Sequence, residues 1–421
     1  MHPLLAPAAF EWWSTFADPA YILDPYPTLA ALRGQGAVQQ DPATGVWFIL
    51  GHAEFAEVVR SPKLGRDTRL WKDGWSSPAR AAADPLAYRL FTDFQPQMIN
   101  SNPPDHRRMR AVYARAFTAG AVGAMAEMFR AESDRLLDMM PAEGELDFMA
   151  AYASPMPLRV LCNLFEMPPS MDEQMAAWSA AIIKVGDVMM SAPQKQEAYD
   201  ALLEFKDYLR GHLARARPAR GEGMISLVLE AWDTGVLDEP ETLTNLVSML
   251  IAGHETTVTL LGNGLLCLLQ HPDQLRRLRA DRALIRPAIE EMMRYEPGGN
   301  MILRVSIEDV EIGEALIPAG SAVIGLIGAI NRDPGAFDAP DTFDVGRAQN
   351  PHFTFGGGGH VCVGAPMARL ETQIAFDRLL DRYAQLELAG PHAWRLDRMN
   401  ARGLASLPIR VSAAGAPGGA R

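Results

Sequence analysis

The chain has 421 residues, 48% of them hydrophobic, and a formal net charge of −12, so it can bury a large core but offers no basic field for nucleic-acid phosphates. Its three cysteines, Cys162, Cys267 and Cys362, do not make a disulfide framework and point to a reducing compartment. No stretch reaches about 18 uninterrupted apolar residues, and the start, "MHPLLAPAAFEWWSTFADPA", lacks a basic n-region; a soluble, cytoplasmic protein without a spanning helix is expected.

In chain order, "GVWFILG" (45–51) is a short apolar, aromatic and β-branched run and predicts a strand. Residues 105–295 carry mainly 3.6-residue periodicity broken by Pro and Gly, hence helices. "PPDHRRMR" (103–110) opens one of them, with His106 and Arg110 four apart on one face. "DEPE" (238–241) is a start signal, with Asp238 as N-cap and Glu241 three residues on. The pattern then runs to Gln270, before His271-Pro272, which predicts a helix about 48 Å long.

The middle of that helix holds "AGHETT" (252–257). Gly253 costs a helix interior about 1 kcal/mol relative to Ala. Thr256 and Thr257 can bond back to i−4 carbonyls. Two readings stay open: a kink with an exposed Glu255, or a helix opened to admit a small ligand, with an acid and an alcohol placed to move protons.

Further on, "DVEIGEALIPAGSAVIGLIGAI" (309–330) alternates around "PAG" and predicts β-hairpin material, and 331–347 is irregular. "MARLETQIAFDRLLDRY" (367–383) is helical, with Met367, Leu370, Ile374 and Leu380 at helix spacing, and "SLPIRV" (406–411) suggests a last strand. No repeat or linker splits the chain. The expectation is a mainly α protein with a small β part, one domain over 1–412, and a disordered tail over 413–421.

"FGGGGHVCVG" (355–364) sets four glycines beside a single thiol. A phosphate-cradling loop would continue Gly-Lys-Ser/Thr, whereas His360 and Val361 follow Gly359. A zinc site would want a second cysteine or a spaced histidine pair. A floppy surface loop and a loop whose bare backbone lies against another group both remain.

In this order, and over nearly the whole chain, these motifs resemble the cytochrome P-450 superfamily of the soluble bacterial type. The family's Phe-Gly-x-Gly-x-His-x-Cys-x-Gly loop stands as Phe355, Gly356, Gly358, His360, Cys362 and Gly364; its central-helix motif as Ala252, Gly253, Glu255 and Thr256; its Glu-x-x-Arg as Glu291 and Arg294. The resemblance implies haem b between the central helix and the loop, with Cys362 as the axial iron ligand. Glycine backbone would lie against the porphyrin, and the following helix N-terminus would favour the anionic sulfur. It implies His106, Arg110, Arg304 and His360 on the propionates, with Ala252, Phe355, Gly356 and Gly364 against the cofactor. Arg107 and Arg108 would be solvated charges or part of a docking surface for an electron donor.

Glu255 and Thr256 become the catalytic pair, Thr256 holding a water and Glu255, about 100° round the helix, relaying protons from a solvent path. Glu291 and Arg294 become structural and lock with Arg347. Cys162 and Cys267 are buried structural thiols. The implied reaction is monooxygenation by O₂ of an apolar terpenoid, fatty-acyl or polyketide-like molecule. Its pocket would draw on Phe94, Met98, Ser248, Ile251, Met301, Ile302 and Leu407, with Trp71, Trp75, Phe91 and Asn300 nearby. With no flavin or NAD fingerprint, a separate ferredoxin and ferredoxin reductase are expected to supply electrons to a monomer. A peroxide-dependent haem-thiolate oxygenase and a non-catalytic haem-binding protein are the alternatives.

Overall fold

The central helix is where the sequence pattern puts it. In a computed structural model, described for residues 10–186, 190–218, 220–221 and 223–413, it spans Glu239–Gln270, 32 residues, or about 48 Å. Its start is a reciprocal cap: Glu241 N–H donates to the Asp238 carboxylate at 2.8 Å, and Asp238 N–H donates to the Glu241 carboxylate at 3.1 Å. From Glu241 onward it is buried on nearly every side, which makes it a core helix rather than an amphipathic surface one. Helices Pro155–Leu164, Ala192–Ala216, Ile285–Tyr295 and Ala365–Arg382 pack around it. The helix passes through "AGHETT" without a break. Gly253 is there for close packing, because a Cβ would lie 3.0 Å from Leu161 Cδ2.

The β part is small and joins distant segments. A five-stranded sheet has the order Val38–Gln40, Trp47–Ile49, Ala322–Leu326, Met301–Ser306, Leu64–Gly65, with Trp47–Ile49 and Ala322–Leu326 parallel. A three-stranded sheet sets Pro408–Ala413 between Glu143–Asp147 and Tyr383–Leu388. Each sheet ties an early segment to a late one, so no single cut leaves two self-contained pieces.

Three expectations are corrected. Glu143–Asp147 is a strand inside a stretch read as helical, because its partner lies some 260 residues away and local periodicity does not see it. In 309–330 the hairpin turn is at Gly313 (φ 56°), between Val310–Ile312 and Ala315–Ile317. The "PAG" turn instead leads into Ala322–Leu326, which joins the other sheet, and Ile327–Ile330 is helical. The last strand keeps Ala413, which the expectation placed in the tail; 414–421 lie outside the described residues. Among the described residues no helix is long and apolar enough to cross a membrane.

Candidate functional site

Within the buried central helix, Ala252 and Thr256 are exposed and Ser248 is half-buried. These residues sit four apart and so form one stripe. An exposed stripe in the middle of a core helix lines an internal cleft. Thr256 Oγ1 donates to Ala252 O at 2.6 Å, and Thr257 and Thr259 make the same i−4 bond to Gly253 and Glu255 at 2.8 and 2.9 Å. Ile251, on the next face, is 5% exposed and packs in the core.

The glycine loop is held from behind. Glu291 accepts from Arg294 at 2.7 and 2.8 Å, from Arg347 Nε at 2.9 Å, from Asn350 at 3.1 Å and from the Asp344 N–H at 2.9 Å. Arg294 and Glu291 are both fully buried. Asn331 then bonds Thr354 Oγ1 at 2.9 Å, and that hydroxyl donates to Met293 O at 2.8 Å, fixing the residue before Phe355. In the loop, Cys362 N–H donates to Phe355 O at 3.0 Å, and Arg369 lies 4.5 Å over the Phe355 ring. Gly356 and Gly358 have φ of 67° and 65°, and a Cβ on Gly358 would fall 2.0 Å from Val59 O. No other residue fits there.

Cys362 is exposed, whereas Cys162 and Cys267 are buried. Crowding still pushes the Cys362 thiol up. The Gly364 and Ala365 N–H groups, at the start of helix Ala365–Arg382, and the Arg110 and Arg369 guanidiniums act in the opposite direction. Burial pushes the Cys162 thiol up to about 12 and the Cys267 thiol higher, as inert core thiols behave.

Beside the loop lies a set of bases with no acid. The His106 and His360 rings meet at a tilt of 31° with centroids 3.8 Å apart, and Arg110 Nη2 donates to Val361 O at 2.8 Å. Arg304 is 2% exposed and, among the described residues, donates only to Leu303 O, at 3.1 Å. Arg66, which the sequence reading missed, donates to the same carbonyl at 2.8 Å and to Ile99 O at 3.1 Å. No carboxylate among the described residues pairs with Arg66, Arg110 or Arg304. Burial lowers Arg304 to about 9 and Arg66 to about 10, and burial with the neighbouring bases lowers His106 to about 4 and His360 to about 2. His106 Nε2 is buried without a partner among the described residues. Such a group is complete only with an anion. Arg108, expected as a solvated charge or part of a docking surface, holds Asp105 and the Glu241 of the helix cap.

Glu255 is placed differently from the expectation. It is 6% exposed and faces Arg398 and Arg395, not an open solvent path, because that flank of the helix is covered by the segment between strands Ala393–Trp394 and Leu404–Ser406. The run "RLDRMNAR" (395–402) was the signal available for these arginines.

A cavity of about 650 Å³ is walled by Trp13, Val46, Trp71, Trp75, Leu90 and Phe91, with the Lys195–Asp84 pair on its lining. Trp75 and Phe91 stack at 4.3 Å. Neither Ala252 nor Thr256 lines it. The strip 94–98 follows the helix that carries the cavity-lining Leu90 and Phe91 and meets the stripe at Ser248. Phe94 caps helix Pro85–Asp93, Met98 N–H donates to Asn245 at 2.7 Å, and Ser248 Oγ donates to Gln97 at 3.4 Å. Met301 and Ile302 are half-buried, with Ile302 Cδ1 3.5 Å from a Cβ built on Gly356, and Asn300 bonds Met399 O at 3.1 Å. Leu407 is fully buried in the main core and is not placed to line a pocket.

The cytochrome P450 family model matches residues 69–408. Cytochrome P450 107B1 of Saccharopolyspora erythraea is 34% identical over 94% of this chain and 97% of its own. Vitamin D(3) 25-hydroxylase of Pseudonocardia autotrophica is 33% identical over 87% of this chain and 88% of its own. Among solved structures, P450BioI in complex with hexadec-9Z-enoic acid ligated acyl carrier protein superposes with a TM-score of 0.86, at 31% identity, over 93% of this chain and all of that one.

Proposed function

The chain belongs to the cytochrome P450 family, and from that premise we propose how its residues divide the work of a haem-thiolate monooxygenase acting on an apolar small molecule. It is an oxidoreductase whose cofactor is haem b. The observation that carries the assignment of residues is the pairing of an exposed thiol in a glycine loop with a cluster of bases that has no counter-ion.

The residues fit the cofactor. Among the described residues no three His, Cys, Asp or Glu side chains converge on one point, so a metal held by Cys362 arrives within a cofactor that brings its other ligands. Cys362 would hold the cofactor's iron through its sulfur, with the Gly364 and Ala365 N–H groups tuning that sulfur. His106, Arg110, Arg304 and His360, with Arg66 behind them, would take the two propionates. Ala252, Phe355, Gly356 and Gly364 would flank the ring. Bound haem supplies the O₂ chemistry: one oxygen atom enters the substrate and the other leaves as water, using two electrons and two protons.

The remaining work is done by the chain. Thr256 Oγ1 spends its proton on Ala252 O, so its lone pairs face the cleft and accept from a water held there. Glu255 is the proton relay on the adjoining flank. The aromatic cavity and the strip 94–98 lead an apolar substrate to the Ser248–Thr256 stripe, excluding water as they fill. A vitamin D hydroxylase and a fatty-acyl complex among the relatives support a terpenoid, fatty-acyl or polyketide-like substrate, undergoing hydroxylation or epoxidation. Electrons come from a separate ferredoxin and its reductase, and the protein works as a cytoplasmic monomer.

The test is Thr256→Ala with saturating ferredoxin. It is expected to bind substrate and consume NADH and O₂ while releasing hydrogen peroxide in place of product. Unchanged coupling of NADH to product would contradict the assignment, and turnover with peroxide but not with NADH would favour the peroxide-dependent alternative.

A further inference from the structure

The aromatic cavity draws part of its wall from the N-terminal residues. Trp13, Ala43, Thr44 and Val46 line it, and all four precede residue 69, where the match to the family begins. Helix Trp12–Ala17 sends its two tryptophans different ways, because neighbours on a helix point about 100° apart. Trp12 is buried and stacks on Phe48, with centroids 4.2 Å apart and planes at 10°. Trp13 stays half-buried and meets Phe48 at 5.7 Å and Phe16 at 6.2 Å. Its Nε1–H donates to Thr44 Oγ1 at 3.4 Å, and that hydroxyl donates to Asp41 Oδ2 at 2.5 Å. The indole on the cavity wall is therefore held both by ring contacts and by its polar edge.

Three more rings belong to the same cavity. Trp71 and Trp75 stand nearly perpendicular, at 77° with centroids 5.3 Å apart, and Trp75 lies within 5° of parallel to Phe91. Their supports are fixed. Trp71 packs over Gly74, where a Cβ would lie 2.8 Å from Cδ2 and Cε3. Phe91 belongs to helix Pro85–Asp93, whose N-cap Asp84 accepts from the Ala87 N–H at 3.0 Å. All four rings are half-buried, so each keeps apolar surface outside the packed core.

The charges on the lining cancel. Asp73 and Asp84 stand against Arg80 and Lys195, with Asp84 and Lys195 paired. An aromatic cage for a cation gains from an excess of acid, and a carboxylate site needs an excess of base. This lining has neither, so it suits a neutral ligand. Leu, Ile and Met walls would serve an alkyl chain equally well. Perpendicular indoles instead offer a flat ring a face on one side and an edge on the other, the two arrangements that aromatic pairs prefer.

We propose that Trp13, Trp71, Trp75 and Phe91 form a recognition site for a neutral aromatic group of the substrate, with Trp13 a specificity-determining residue added by the N-terminal segment. The inference rests on the reading of this cavity as the substrate's way in, and it narrows the apolar molecule to one that carries an aromatic ring system. Selection is made apart from the stripe on the central helix, since neither Ala252 nor Thr256 lines the cavity.

The test is equilibrium dialysis of the haem-loaded, full-length protein with naphthylmethanol and with its fully saturated analogue, decahydronaphthylmethanol. The readout is how far the ratio of the two affinities changes between wild type and variant, because the different cost of leaving water enters both alike. Trp13→Leu and Trp75→Leu should each lower the relative affinity for the aromatic probe by about three- to tenfold, and Trp13→Phe should lower it less. Trp75→Leu decides the matter if Trp13→Leu does not fold. A ratio that neither leucine variant moves overturns the proposal. A ratio moved by Trp75→Leu but not by a folded Trp13→Leu overturns the role of Trp13. Tighter binding of the naphthylmethyl-trimethylammonium cation than of naphthylmethanol overturns the neutral ligand. Delivery to the iron is read separately, as the spectral shift of the haem. If the ratio behaves as expected and naphthylmethanol leaves the haem spectrum unchanged, the aromatic site stands and the reading of the cavity as the route to the Ser248–Thr256 stripe falls.

Discussion

Arg347 places its Nε 2.9 Å from Glu291 Oε2 across 56 residues of sequence, and Glu291 has no exposure at all. Its other guanidinium nitrogens donate to Asp338 O, Ala339 O and Thr342 O at 2.7, 3.2 and 2.9 Å. One side chain therefore gathers the irregular segment before the glycine loop onto the helix that carries Glu291. Glu291→Ala would leave Arg294 and Arg347 without a counter-charge, and breaking a buried pair in this way costs about 3–5 kcal/mol. The expected outcome is a marked loss of folded, haem-loaded protein. Arg347→Lys, which loses the carbonyl contacts but keeps the charge, should cost less. Thermal melting of both variants checks the order.

Arg304 yields a prediction with two signs. It is a buried cation whose one hydrogen bond among the described residues is to Leu303 O. In the haem-free protein Arg304→Met should raise the melting temperature, since an uncompensated charge is removed. In the loaded protein the same change removes a charge-assisted bond worth roughly 1.5–3 kcal/mol. Haem should then dissociate about ten- to a hundredfold faster. Melting of the stripped protein, together with haem transfer to an acceptor protein, measures both, and a loaded protein that keeps its haem as well as wild type would count against the propionate role.

Glu371 lies on the helix that follows the loop, 1% exposed, with neither carboxyl oxygen hydrogen-bonded to a described residue. Burial pushes its carboxyl up to about 8. A group whose folded pKa is raised contributes stability below its unfolded pKa and loses it as pH rises toward the folded value. Stability should therefore decline between about pH 4.5 and 8, by on the order of 3 kcal/mol at pH 7. Glu371→Gln should flatten that decline, so its gain in melting temperature over wild type should be larger at pH 8 than at pH 5. An equal effect at both would show that the acid is not held neutral.

What the sequence made legible follows the range of each signal. The central helix was readable to its caps, because Asp238, Glu241 and Pro272 act within a turn of where they stand. The Cys362 loop was readable because Gly358 has no substitute where a Cβ would strike Val59 O. The strand Glu143–Asp147 was not, since its partner is at the other end of the chain. Glu255 shows the same limit in the site. Its helical phase was given by its position, but what covered that flank depended on Arg395 and Arg398, which no local pattern links to it. Arg66 left no trace in the sequence, because its significance is the absence of an acid near a buried cluster, which only the folded chain reveals.

The most direct test of the account is the carbon monoxide difference spectrum of the reduced, haem-loaded protein, recorded for wild type and for Cys362→His. Wild type is expected to show the strongly red-shifted band of a thiolate-ligated haem. In Cys362→His that band is lost while haem remains, held by His106, Arg110 and Arg304. A wild-type spectrum without the red-shifted band, or a Cys362→His protein that retains it, would contradict the assignment of Cys362 as the iron ligand.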